Sequence, residues 1–266
     1  MKHKPKLGQN FLVDPAASMA IVQALGDISQ QMVVEIGPGA GAITELLAAR
    51  ARRLIAIELD RELAPRLRQQ FAALASVEVL EADVLGVDLE ALRGGGNRLF
   101  VVGNLPYYIT SDILLRLFRF HASVERAVIM VQREVADRVA AVPGTRDYGL
   151  LSATAQLYAR VERVLTLPPE AFMPPPEVHS TVLRLEMQPR FAELSVEPEP
   201  LIGFLKQCFA QKRKTLAKNL RAAGYKPAAV AKAMEAADTS PTARAEELGL
   251  EAMARLWKEL SSHFKE

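Results

Sequence analysis

Met32-Val33-Val34-Glu35-Ile36-Gly37-Pro38-Gly39-Ala40-Gly41-Ala42 is the stretch on which the fold turns. Its largely apolar first half reads as a strand, the glycines that follow read as a turn, and Ile43 to Arg50 carries a helical pattern. A glycine turn opening a helix lets a nucleotide come close to the backbone and presents amide hydrogens to it. The spacing of Gly37, Gly39 and Ala42 also satisfies the loose dinucleotide pattern, so this stretch alone leaves a nicotinamide or flavin enzyme open.

Outward from it, strand-like and helix-like segments alternate. Leu54 to Glu58, Val77 to Leu80, Leu99 to Val102 and Ala127 to Val131 read as strands, with Arg61 to Leu74 and Asp112 to Phe120 as helices. This rhythm implies a parallel sheet covered on both faces. Leu150 to Arg160 reads as helical, and Val164 to Leu167 and Thr181 to Leu185 read as two strands of an antiparallel edge hairpin. Gly94-Gly95-Gly96 is expected to be a surface turn. Pro189, Pro198 and Pro200 read as a linker, beyond which Ile202 to Leu260 shows only helical spacing, three or four short helices broken near Gly224 to Pro227 and Thr239 to Pro241. The expected domains are therefore 1–189, α/β, and 190–266, helical.

The chain has 266 residues and a mass of 29.2 kDa, half of it apolar, which is enough for one large domain and a smaller one. Its one cysteine, Cys208, excludes an internal disulfide, and no apolar run approaches the roughly 18 residues a membrane helix needs. Lys2, Lys4 and Lys6 are not followed by an apolar segment, so no export signal is expected and a cytoplasmic location fits. His3, His121, His179 and His263 are scattered, so no metal site is expected. The net charge is only +2, but between Pro200 and Met234 there are eight cations and no acid. That local basic surface suits a polyanion.

Parallel strands deliver their carboxyl ends to one crevice, so Gly37, Glu58, Asp83 and Asn104 should line one cleft. Glu58 falls about 20 residues after the first glycine, the separation at which a carboxylate reaches ribose hydroxyls. Asn104-Leu105-Pro106-Tyr107 places an amide, a stiff turn and an aromatic ring at a strand's end, an arrangement suited to an amino group on a flat ring. The adenine amine is a poor nucleophile, and it gains reactivity when carbonyl oxygens hold its hydrogens. A cofactor with an adenosine half and a substrate with an amine are thus expected, and S-adenosylmethionine meets the first condition without a metal or a covalent intermediate.

Several stretches, in order and spacing, carry a family likeness: Gly8-Gln9-Asn10-Phe11-Leu12, Glu35 to Thr44, Ile57-Glu58-Leu59-Asp60 and Asn104-Leu105-Pro106-Tyr107. They continue with Gln132-Arg133-Glu134-Val135, Tyr148-Gly149 with Leu151-Ser152, Phe172-Met173-Pro174-Pro175-Pro176 and Lys212-Arg213-Lys214-Thr215-Leu216. The chain resembles the ribosomal small-subunit RNA adenine dimethyltransferases over nearly its whole length. Large-subunit relatives share the cleft motifs, whereas the triple proline, the Tyr148-Gly149 loop and the basic helix start favour the small-subunit enzymes. Tyr108 and Leu7 depart from the usual family residues.

The resemblance implies a Rossmann-like class I methyltransferase domain, a mostly parallel seven-stranded sheet with an antiparallel edge hairpin, plus a small all-helical C-terminal domain. It implies S-adenosylmethionine contacts at Asn10, Leu12, Gly37, Glu58, Asp83 and Asn104, with the N-terminal arm as a flap. Catalysis would fall to Asn104, with Tyr107 and Phe172 sandwiching the target adenine. Lys212, Arg213, Lys214, Lys218 and Arg221 would bind RNA. The implied reaction is dimethylation of two adjacent adenosines near the 3′ end of 16S rRNA on the small ribosomal subunit, carried out by a monomer. Two alternatives stay open at this point: a noncatalytic small-subunit assembly factor, and a DNA adenine methyltransferase.

Overall fold

A computed structural model describes residues 10–262, so the expectations attached to Lys2, His3, Lys4, Lys6, Leu7, Gly8, Gln9 and His263 lie outside the described residues. The described residues form two compact units: those up to Ala136 with Arg160–Met187, and Asp137–Ala159 with those from Gln188 on.

The first unit is built on nine strands: β1 (Phe11–Leu12), β2 (Met32–Ile36), β3 (Arg53–Glu58), β4 (Val77–Glu81), β5 (Leu99–Asn104), β6 (Val124–Gln132), β7 (Ala159–Leu167), β8 (Phe172–Met173) and β9 (Ser180–Met187). Seven make one sheet in the order β4-β3-β2-β5-β6-β9-β7. Strands β4 through β6 run parallel, and β9 runs antiparallel to β6. The central strands are near-continuous apolar runs because both faces are covered: Val33, Val34, Val101 and Val102 are all fully buried. Helix Pro15–Ala24, capped by Asp14 through Ala16 N at 2.8 Å and Ala17 N at 3.1 Å, adds Ile21 and Val22 to the same core as Leu47, Phe100 and Val128.

This order fixes where a ligand can bind. The chain steps from β2 outward through β3 to β4, then returns to β5 on the other side of β2, and the diverging connections open a crevice at the carboxyl ends of those two strands. Gly103 stands opposite Ile36 at that point, and a Cβ on it would lie 2.6 Å from the Ile36 carbonyl oxygen. Only glycine lets β5 come this close to β2.

Outside the sheet, β1 and β8 pair antiparallel as a two-stranded ribbon, with Phe11 opposite Met173 and Leu12 opposite Phe172. Neither strand was read from the sequence, since two residues hold no periodicity.

The second unit is helical: Leu150–Tyr158, Phe191–Leu194, Pro198–Cys208, Leu216–Ala222, Pro227–Ala236 and Leu250–Ser262. Phe204 sits at its centre, with ring centroids of Trp257 at 5.5 Å and Tyr225 at 6.4 Å. Two sequence expectations change here. Pro198 is the first residue of a helix rather than part of a linker, a place where its missing N–H costs nothing. Residues 137–159 join this unit, although the sequence reading kept them in the first domain: Tyr148 packs edge-on against Phe209 at 6.0 Å and Tyr158 against Phe191 at 5.0 Å.

Candidate active site

The crevice is an open cavity of about 1070 Å³ including the solvent at its mouth, within the first unit. Asn10, Leu12, Gly37, Glu58, Asp83, Asn104 and Tyr107 all wall it.

The glycine turn forms one side. Gly37, Gly39 and Gly41 have φ of +65°, +58° and +88°, left-handed values that an L side chain would strain. Gly39 is doubly constrained, because the Phe11 ring rests on it and a Cβ there would come 2.9 Å from that ring. Its N–H donates to Glu58 Oε2 at 3.0 Å, while Oε1 accepts from Asp60 N at 2.9 Å. The Glu58 carboxylate, 3% exposed, therefore ties the end of β3 to the turn after β2, and each oxygen keeps a lone pair for a ligand hydroxyl. Two residues past the end of β4, Asp83 Oδ1 accepts from Leu85 N at 2.9 Å, which holds the carboxylate in place on the cavity wall.

Glu35 also walls the cavity, and the sequence reading gave it no role. Burial pushes its carboxyl up from about 4.5 to about 8; the nearby Thr44 hydroxyl offsets part of this and the Glu58 charge adds to it. Neither Thr44 Oγ1 nor Glu35 Oε2 closes a hydrogen bond of normal geometry, so a buried carboxyl oxygen ends without a partner on the wall of the site. The available signal was a carboxylate inside an otherwise apolar central strand.

Asn104 stands where β5 ends. Its Nδ2 donates to the Asn10 backbone oxygen at 2.9 Å. The opposite rotamer of the amide would set two acceptors face to face, so this contact fixes the group with Oδ1 as its outward acceptor. The turn that follows is pinned at several points: Leu105 N donates to Met130 O at 3.0 Å, Pro106 holds φ at −58°, and Thr110 Oγ1 donates to Pro106 O at 3.0 Å. The Tyr107 hydroxyl is 3.0 Å from Ser180 Oγ, which anchors its ring against the sheet.

Of the pair expected to sandwich the target adenine, Tyr107 walls the cavity and Phe172 lies in the apolar core. Phe172 is 2% exposed, packs in the same apolar core as Leu12, Val128 and Val182, and is not among the residues that wall the cavity. Directly opposed residues of a ribbon share a face and successive ones alternate, so Phe172 shares the inward face with Leu12 while Met173 goes with Phe11. The apolar gain from burying a phenyl ring explains the placement.

Lys212, Arg213, Lys214, Lys218 and Arg221 are exposed in the second unit. Asn219, buried beneath them, donates from Nδ2 to Cys208 O at 2.7 Å and Gln211 O at 3.2 Å, so the loop bearing the first three is held in shape. Among the described residues, no cluster of three histidine, cysteine or acidic side chains could hold a metal ion, and no helix is long and apolar enough to cross a membrane.

The model of the ribosomal RNA adenine dimethylase family matches residues 1–261. A ribosomal RNA small subunit methyltransferase A from Acidobacterium capsulatum is 68% identical over 259 residues, 97% of this chain and 92% of that protein. Its counterpart from Koribacter versatilis is 56% identical, with 97% and 94% covered. Among solved structures, a dimethyladenosine transferase from Plasmodium falciparum superposes with a TM-score of 0.78 at 22% identity, covering 95% of this chain and 98% of the other, a likeness of fold. The 23S rRNA methyltransferase ErmE gives 0.72 at 26% identity, covering 95% and 100%.

Proposed function

The chain belongs to the ribosomal RNA adenine dimethylase family, and from that membership we propose that it transfers two methyl groups in succession to the exocyclic amine of each of two adjacent adenines near the 3′ end of 16S rRNA, on the small ribosomal subunit in the cytoplasm. The observation that carries this reading is Asn104, an amide oriented by the Asn10 carbonyl on the wall of a cavity that Glu35, Glu58 and Asp83 also line.

The residues present suit S-adenosylmethionine. Glu58 has lone pairs for ribose hydroxyls, Asp83 offers a carboxylate to an adenine amine, and the unpartnered oxygen of buried Glu35 suits a cationic group. When bound, the cofactor supplies an activated methyl group on a sulfonium, a leaving group that needs no metal.

The protein's part is alignment and hydrogen bonding. Asn104 Oδ1 and the Leu105 carbonyl accept the hydrogens of the target amine, which restores nucleophilic character to its lone pair. Because β5 and the proline turn hold both acceptors beforehand, no reorganisation is required at the moment of transfer. Tyr107 offers its ring to the everted base from the sheet side, and Phe172 backs the ribbon from within the core. Once the methylated amine has lost a proton to water through the open side of the cavity, one hydrogen remains, and one acceptor suffices to hold it for the second transfer. Lys212, Arg213, Lys214, Lys218 and Arg221 grip phosphates.

Asn104→Ala is expected to lower methyl transfer to small ribosomal subunits by roughly two orders of magnitude, the scale on which one preorganised polar partner acts in a transition state. Incorporation of labelled methyl groups at the wild-type rate by that variant would refute the assignment.

A further inference from the structure

Tyr108 has no role in the reaction as laid out so far, yet it walls the cavity and is 62% exposed. An aromatic ring left mostly in water beside a ligand cavity has a free face on which a flat ring can stack.

The local geometry says which part of a substrate it can meet. Tyr107–Ile109 is a single turn of 3-10 helix, in which successive side chains lie about 120° apart. The ring of Tyr107 is anchored inward by the hydroxyl contact to Ser180 Oγ at 3.0 Å, so Tyr108 diverges from it into solvent beside the cavity. Two rings diverging in this way cannot clasp one base between them. The turn is stiff, closed by Ile109 N donating to Pro106 O at 3.2 Å as well as by the Thr110 hydroxyl, so the ring is already in position and little is lost by ordering it.

Everting an adenine deprives its neighbour in the strand of a stacking partner, and an aromatic face set just outside the cavity can replace it. We propose that Tyr108 stacks on the nucleotide flanking the everted adenine and so positions the RNA strand at the cavity mouth. This rests on the RNA reading of the site. It makes Tyr108 a positioning residue for the acceptor, and where two adjacent adenines are the targets it holds one while the other reacts.

The test uses the full-length protein and small ribosomal subunits lacking the modification. Tyr108→Ala should raise KM for the subunits about tenfold, within the range that loss of one base–aromatic stack produces, with a smaller effect on kcat and an unchanged Kd for S-adenosylmethionine. Tyr108→Phe keeps the ring and should recover the wild-type KM, whereas Tyr108→Leu keeps apolar bulk without a flat face and should not. A wild-type KM in the alanine variant, or recovery by leucine as complete as by phenylalanine, overturns the proposal. Absence of methylation by the wild-type protein would instead overturn the parent reading and this inference with it.

Discussion

Glu35 is a buried acid on the cavity wall with one carboxyl oxygen unpartnered. Its carboxyl is 2% exposed, and burial raises its pKa to about 8 against an ordinary 4.5. A raised carboxyl pKa stabilises the fold fully below the unfolded value, and that contribution is lost as pH rises through the folded one. Between pH 4.5 and 8 the cofactor-free protein should therefore become less stable, and Glu35→Gln should flatten that slope. Urea unfolding midpoints across this range, for both proteins, make the comparison; an unchanged slope in the variant would assign the effect to other groups. At this scale the sequence was most legible where a polar residue ends a strand or closely follows it, as at Glu58 and Asn104 and at Asp83 two residues past β4, because the parallel sheet itself brings such positions together. It was least legible for Phe172, whose side is decided by a two-residue ribbon with no pattern to read.

Among the elements, β5 stands out for its close approach to β2. The apolar run Leu99 to Val102 identified the strand, but the reason for Gly103 between it and Asn104 emerges only from the register, which sets that glycine against Ile36. Gly103→Ala would drive a methyl group into the Ile36 carbonyl oxygen. The strands must separate, at a cost of about 1–3 kcal/mol for overpacking. Because the next residue is Asn104, methyl transfer should fall by more than the loss of folded protein accounts for. Urea unfolding and a methyl-transfer assay on the same preparation check both parts, and a variant with wild-type stability would show that the strands yield without strain. Element types along the sheet followed from periodicity, whereas several ends moved by a few residues: the helix expected from Arg61 to Leu74 runs Leu63–Gln70, because the chain outside that span is held in turns.

For the whole molecule, a net charge of +2 conceals the uneven distribution that matters to a polyanion. Binding to small-subunit RNA should weaken steeply with salt, and replacing Lys212, Lys214 and Lys218 together by alanine should reduce the log–log salt slope by about two to three, near 0.7–0.9 for each lost phosphate contact. Filter binding over a salt series measures this; an unaltered slope would move the RNA contact to another surface. The sequence reading placed a boundary near residue 189 from the prolines and the end of strand patterning, but a helix such as Leu150–Tyr158 looks alike whichever unit it joins, so only its partners reveal its allegiance. Since the chain leaves the first unit after Ala136, returns at Arg160 and leaves again after Met187, the helical unit is assembled from two separate stretches. A single genetic crossover cannot exchange it whole between relatives: a graft spliced at one junction inherits Asp137–Ala159 from one parent and its partner helices from the other, and mismatched aromatic seams at Tyr148 and Tyr158 would be the hybrid's first fault.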